Sequence, residues 1–203
     1  MRLVLAFTAA IVLAGCGRAD SQPQTGAGGS DPKAVTIDAV KPDRAGPPMT
    51  LTSDAVGANG AIDFNHTAYG ANVSPALRWT RVPNAVSYAI IVEDPDAPGG
   101  APFVHWLVWG VPGEATSLGG KLPPQPHLST PQGAMQGRND NGEVGYFGPR
   151  PPRGTGAHHY HIQIFALDRA LALGPDADIR ALRTAMKGKV LADGELIGAF
   201  AAP

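Results

Sequence analysis

Cysteine is almost missing from this chain: Cys16 stands alone, so no internal disulfide can form and packing and hydrogen bonds must hold the fold. An excess of positive charge is missing too. Lys and Arg total 16 against 17 Asp and Glu, a formal net charge of −1, and without a long-range positive field no nucleic-acid partner is expected. Long hydrophobic runs are scarce. The stretch from Leu3 to Leu13 is apolar or small throughout but too short to cross a bilayer as a mature helix. The sequence contains no H-E-x-x-H and no G-x-S-x-G; Ser74 sits before Pro75 in what reads as an ordinary loop. No internal repeat occurs. What the chain has in plenty is Gly, 26 residues, and Pro, 20, a composition that favours turns and short strands over long helices. With 43% hydrophobic content, 203 residues suffice for one domain with a substantial core plus additional sequence.

The additional sequence lies at the N-terminus. Arg2 supplies a positive charge, Leu3 to Leu13 an apolar run, and Leu13-Ala14-Gly15-Cys16 closes it with small residues at a cleavage position. Those four residues resemble the bacterial lipobox, which implies a signal peptide over 1–15 and a lipidated Cys16. Gly17 rather than Asp after the cysteine implies the outer membrane of a bacterial envelope, facing the periplasm, with attachment by acyl chains and not by a span. Residues 16–48 are rich in Gly, Ala, Ser, Gln and Pro with one β-like patch at Val35-Thr36-Ile37, and read as a flexible tether. Thirty such residues reach roughly 30 Å as a coil.

From Met49 to the C-terminus the chain reads as a folded domain. Val86 to Val92 is a strand buried on both faces. Phe103 to Val111 is a second strand, in which period two places Phe103, His105, Leu107 and Trp109 on one face. His158 to Leu167 is a third, with His158, Tyr160, Ile162 and Ile164 on one face and His159 and His161 on the other. One helix is expected, capped by Asp176 or Asp178, carrying Ile179, Leu182 and Met186 at helical spacing and stopped by Gly188, and Val190 to Phe200 can return to the sheet. The fold class is mainly β, a sandwich or antiparallel assembly with a C-terminal helix at its edge.

Two distant segments carry candidate chemistry. Pro95 and Pro98 stiffen the loop Asp94-Pro95-Asp96-Ala97-Pro98, which puts both carboxylates on one side and, if the flanking strands form a hairpin, brings Asp94 near His105. Such a pair fixes the imidazole tautomer and raises its pKa. The second segment, Gly148 to Tyr160, is a Gly- and Pro-rich turn whose backbone N–H groups can cradle phosphate, with His158 and Tyr160 as side-chain donors and Arg150 and Arg153 at its rim. Together they form two walls of an anion pocket.

The segments Asn72 to Trp79 (NVSPALRW), Val92 to Gly100 (VEDPDAPGG), Phe103 to Pro112 (FVHWLVWGVP), Gly137 to Asp140 (GRND), Gly145 to Asp168 and Glu195 to Phe200 (ELIGAF) resemble the phosphatidylethanolamine-binding protein family, in its bacterial Raf kinase inhibitor-like branch. The resemblance spans roughly Met49 to Phe200. It implies a two-sheet antiparallel sandwich with a small pocket for a phosphate-like anion or phospholipid head group. On matching positions that pocket uses Asp94, Asp96, His105, Arg150 (through a nearby backbone amide), His158 and Tyr160. Two positions depart from the family pattern: Gly110 where Asn is common, and His159 where an Arg stands between the His and Tyr. Modulation of a protein partner, as in kinase-inhibiting relatives, is the part of the resemblance that transfers least.

No cofactor, metal or catalytic nucleophile is expected, and the chain reads as a binding protein rather than an enzyme. Two alternatives stand beside that reading: a metal-dependent hydrolase that uses the His and Asp residues as ligands, and a protein-interaction module with a vestigial pocket, presenting Trp79, Trp106 and Trp109.

Overall fold

The computed structural model describes residues 33–42 and 46–203; the segment expected to be a signal peptide and Cys16 lie outside the described residues. Among the described residues eight strands form two antiparallel sheets. A small sheet pairs β1 (Leu51–Ser53), β2 (Leu77–Trp79) and β5 (Ser117–Leu118) in the order β1-β2-β5. A larger one has the order β6-β4-β3-β7-β8, with β3 (Ser87–Asp94), β4 (Phe103–Pro112), β6 (Met135–Gln136), β7 (Ala157–Leu167) and β8 (Val190–Ala201).

The three runs expected as strands are the three central strands. β3 is buried along its whole length because sheet neighbours flank it and both faces are covered. One face, through Tyr88, Ile90 and Val92, packs with Trp106, Ile162 and Ile164 against Leu77 and Trp79 of the small sheet. The other, through Ala89 and Ile91, packs with Leu107, Trp109 and Phe165 against Leu182 and Met186 of helix α2 (Ile179–Met186). This α2 is the expected helix, with the Asp178 carboxylate accepting from Ala181 N at 2.8 Å as its N-cap. It covers a face of the large sheet instead of its edge. All three tryptophans are core residues, which removes the exposed aromatic patch that an interaction module would need.

Two local expectations are corrected. Val35-Thr36-Ile37 is not β-like: α1 (Thr36–Ala39) is a single helical turn, and Val35, Thr36 and Val40 are buried against the large sheet. Side chains remote in sequence hold its first N–H groups. Glu93 accepts from Thr36 N at 2.7 Å and Gln163 from Ile37 N at 2.5 Å. Arg183 of α2 closes the network, donating to Thr36 Oγ1 and to Glu93, both at 2.7 Å. The last part of the sequence read as tether is thus docked on the domain.

The second correction concerns β4. Val92 pairs with Trp106 while the next residue, Glu93, pairs with Val104, so His105 is an extra residue, a β-bulge. The bulge breaks period two. Leu107 and Trp109 face the helix side with Val104, while His105 turns toward Phe147 and Tyr160 on the opposite side. Residues 137–147 run alongside the bulge and satisfy it: Asp140 N donates to Val104 O, Val104 N to Asp140 Oδ2, and Phe147 N to His105 O.

Gly110, the departure noted above, adopts φ 71°. Gly takes that left-handed backbone freely, and a Cβ there would stand 2.7 Å from Gly133 O, so backbone conformation and close approach both favour Gly at this position.

Candidate functional site

Asp94 ends β3, and Pro95 directs the chain away into a tight loop. One carboxylate oxygen of Asp94 accepts from Asp96 N (2.8 Å) and Ala97 N (3.0 Å), an Asx turn that freezes both the loop and the side chain. The other oxygen lies 2.8 Å from His158 Nδ1. Both side chains are only 4% exposed, so this ion-pair geometry is shielded from solvent. β7 lies beside β3 in the sheet, which is why an aspartate on one meets a histidine 64 positions away on the other.

The Asp–His contact anticipated from the β3–β4 hairpin is therefore made by His158 instead of His105. The His105 Nδ1 contacts Phe147 O at 2.6 Å, and its ring stacks on Phe147 and meets Tyr160 edge-on, centroids 5.1 Å apart. Burial lowers its pKa to about 4, against the smaller upward pulls of the Phe147 carbonyl and of Asp94. The anticipated rise is replaced by a fall because desolvation outweighs both.

Between these residues lies a cavity of about 270 Å³, lined by Asp94, His105, His158, Arg150 and Phe147 among others. Arg150 is exposed at its mouth, between Pro149 and Pro151. The loop comes close because Gly148 has no side chain: a Cβ there would stand 2.4 Å from His66 O. Asn72 Oδ1 accepts from Gly148 N at 2.7 Å, so this amide is already used by the fold.

Asp96 and Tyr160 are not on the cavity wall. Asp96 is exposed, and its carboxylate accepts from both the backbone and the ring of His159, each at 2.8 Å. Desolvation raises its pKa, and the hydrogen bonds from His159 outweigh that and leave it lowered. Tyr160 packs behind His105, 1% exposed, with no hydrogen-bond partner for its hydroxyl among the described residues. Burial pushes its pKa up, so it stays a neutral phenol.

Residues not singled out from the sequence complete the site. Phe147 supplies the carbonyl that orients His105. Thr155 Oγ1 lies 3.0 Å from His158 Nε2 and donates to Pro152 O at 2.8 Å. A threonine three positions before a histidine in a Gly-rich loop was the available signal. Among the described residues no group of three or more His, Cys, Asp or Glu side chains is placed to hold a metal ion. Nor is any described helix long and apolar enough to cross a membrane.

The family described as phosphatidylethanolamine-binding protein matches residues 52–201 of the chain. A UPF0098 protein of Pyrococcus horikoshii is 42% identical over 149 residues, 73% of this chain and 74% of that one. A Mycobacterium tuberculosis protein that carries the name lipoprotein LppC is 36% identical over 198 residues, 94% of this chain and 90% of its own. Among solved structures, Escherichia coli YbcL, described as a member of the mammalian PEBP family, superposes with a TM-score of 0.71 at 29% identity, covering 77% of this chain and all of that one. A PEBP homologue from Chlamydia trachomatis gives a TM-score of 0.67 at 30% identity, covering 77% and 99%.

Proposed function

Since the chain belongs to the phosphatidylethanolamine-binding protein family, we propose that it is a binding protein whose cavity beside Asp94 and His158 takes a phosphate-like anion or phospholipid head group. The observation that carries this reading is the buried Asp94–His158 pair on a wall of the cavity that Arg150 and His105 also line. Two backbone N–H groups and the imidazole occupy three of the acceptor positions of the Asp94 carboxylate, so its part in the site is to orient His158. Arg150 at the mouth offers a fixed positive charge and a planar set of donors suited to a phosphate group. Thr155 Oγ1, 3.0 Å from His158 Nε2, stands where an anion oxygen would reach that nitrogen.

The same proposal places the protein in a bacterial envelope, held by acyl chains on Cys16, at the outer membrane and facing the periplasm. The lipobox-like residues and the likeness to LppC over 94% of the chain support it. Mass spectrometry of the mature N-terminus tests the anchor; an unmodified Cys16, or a chain that still begins at Met1, rejects it. Titrating the purified chain with phosphate while following the histidine ring NMR signals tests the pocket. Shifts at His105 and His158 that saturate by millimolar ligand support it, and no response at either ring rejects it.

A further inference from the structure

The geometry points to His105 as the residue that sets ligand selectivity: it presents a lone pair to the cavity, so the bound anion must bring its own hydrogen-bond donor. This inference rests on the anion-pocket reading and names which anions the pocket takes.

Phe147 fixes the tautomer of His105. Its carbonyl oxygen can only accept, and it stands 2.6 Å from His105 Nδ1, so that nitrogen carries the proton. In a neutral ring the proton on Nδ1 leaves Nε2 with a lone pair. The ring is neutral for a reason the structure supplies: it is 3% exposed, between Phe147 and Tyr160, and among the described residues no carboxylate is bonded to either nitrogen. The downward pKa agrees with that. Among the described residues nothing hydrogen-bonds to Nε2, and His105 lines the cavity. The cavity therefore has a donor side at Arg150 and an acceptor side at His105.

A ligand that fits both sides is an oxyanion with a hydrogen of its own. Hydrogen phosphate carries one on oxygen, as does a phosphate monoester in its singly ionised form, and an ethanolamine head group carries three on nitrogen. Sulfate at neutral pH and phosphate diesters without N–H or O–H carry none. For them a negatively charged oxygen faces the His105 lone pair, and the nitrogen is left without a hydrogen-bond partner. A buried polar group left unpaired in this way costs on the order of tenfold to a hundredfold in affinity.

The test is a calorimetric titration of the purified chain with phosphate, sulfate, dimethyl phosphate and the two glycerophosphodiesters of ethanolamine and choline. Phosphate binding at least tenfold tighter than sulfate and dimethyl phosphate supports the assignment, and equal affinity for all three overturns it while leaving the anion pocket intact. If no anion binds, the pocket itself is rejected and the selectivity with it. The ethanolamine diester binding well above the choline diester identifies an ammonium as a competent donor and a lipid head group as a source. If both diesters are weak and phosphate is tight, the source is a free phosphate or a monoester. Independently of any variant, ¹⁵N spectra of the free protein must show His105 Nε2 as the unprotonated nitrogen; a protonated Nε2 overturns the assignment. In His105→Asn, whose amide can also donate, the phosphate-to-sulfate ratio falls toward one, whereas a purely structural role weakens both anions by the same factor.

Discussion

His158 and Asp94 meet through a 2.8 Å contact between Nδ1 and Oδ2, 64 residues apart in sequence and side by side on neighbouring strands. Removing one partner of such a buried pair leaves the other without compensation. Asp94→Ala also frees the amides of Asp96 and Ala97, so a loss of about 3 kcal/mol of stability is expected in urea unfolding. Asp94→Asn keeps the turn and loses less. In both variants the His158 ring signals move; an unchanged His158 spectrum in Asp94→Asn contradicts the pairing.

Removing residues 1–48 takes away more than a tether. Val35, Thr36 and Val40 are buried, and Glu93, itself 1% exposed, loses the Thr36 amide. The truncated chain is expected to lose about 2–4 kcal/mol in denaturant titration. Arg183→Ala strips the cation from Glu93 and costs about 2 kcal/mol, discounted because Arg183 is partly exposed. Truncation with no change in the unfolding midpoint would mean that the segment contributes nothing.

Gly148→Ala tests the close approach of the site loop to residues 66–68. The added Cβ meets backbone at 2.4 Å and cannot be relieved by rotating a side chain. Overpacking of this kind costs about 2–3 kcal/mol, and displacement of Arg150 lowers anion affinity as well. Stability and binding both at wild-type level would show that the loop is not held there.

The depressed pKa of His105 fixes a pH dependence and its sign. Folded, the ring protonates at about 4; unfolded, at its ordinary 6.5. Between those values the unfolded chain binds the extra proton, so stability is full above about pH 6.5 and falls as pH drops toward about 4, by about 3 kcal/mol in all. His161 acts in the opposite sense. Its hydrogen bond to Glu195 raises its pKa, so its contribution is present below the ordinary histidine value and is lost as pH rises through the folded one. Half-buried, it is the smaller effect. Denaturant unfolding across this pH range checks the slope, which should flatten in His105→Asn.

The sandwich was legible because its central strands are long apolar runs and its helix has a capping aspartate and a stopping glycine. The rest depends on contacts between residues far apart in sequence. Nothing in Thr36-Ile37-Asp38-Ala39 announces a helical turn, since the groups that accept its first amide protons are Glu93 and Gln163. The bulge at His105 leaves the FVHWLVW alternation looking regular, so the facing of that ring, and the identity of its partner, follow only from the strand register. Four of the candidate residues, Asp94, His105, Arg150 and His158, line one cavity. Asp96 and Tyr160 fall outside its wall because one is pulled outward by His159 and the other is packed behind His105.

The most direct measurement is a crystal structure of the protein grown in phosphate. A phosphate is expected in the cavity with Arg150 donating to its oxygens, its hydrogen-bearing oxygen within hydrogen-bond distance of His105 Nε2, and Thr155 displaced from His158. A cavity that holds only water at high phosphate concentration, with Thr155 still on His158, would contradict it.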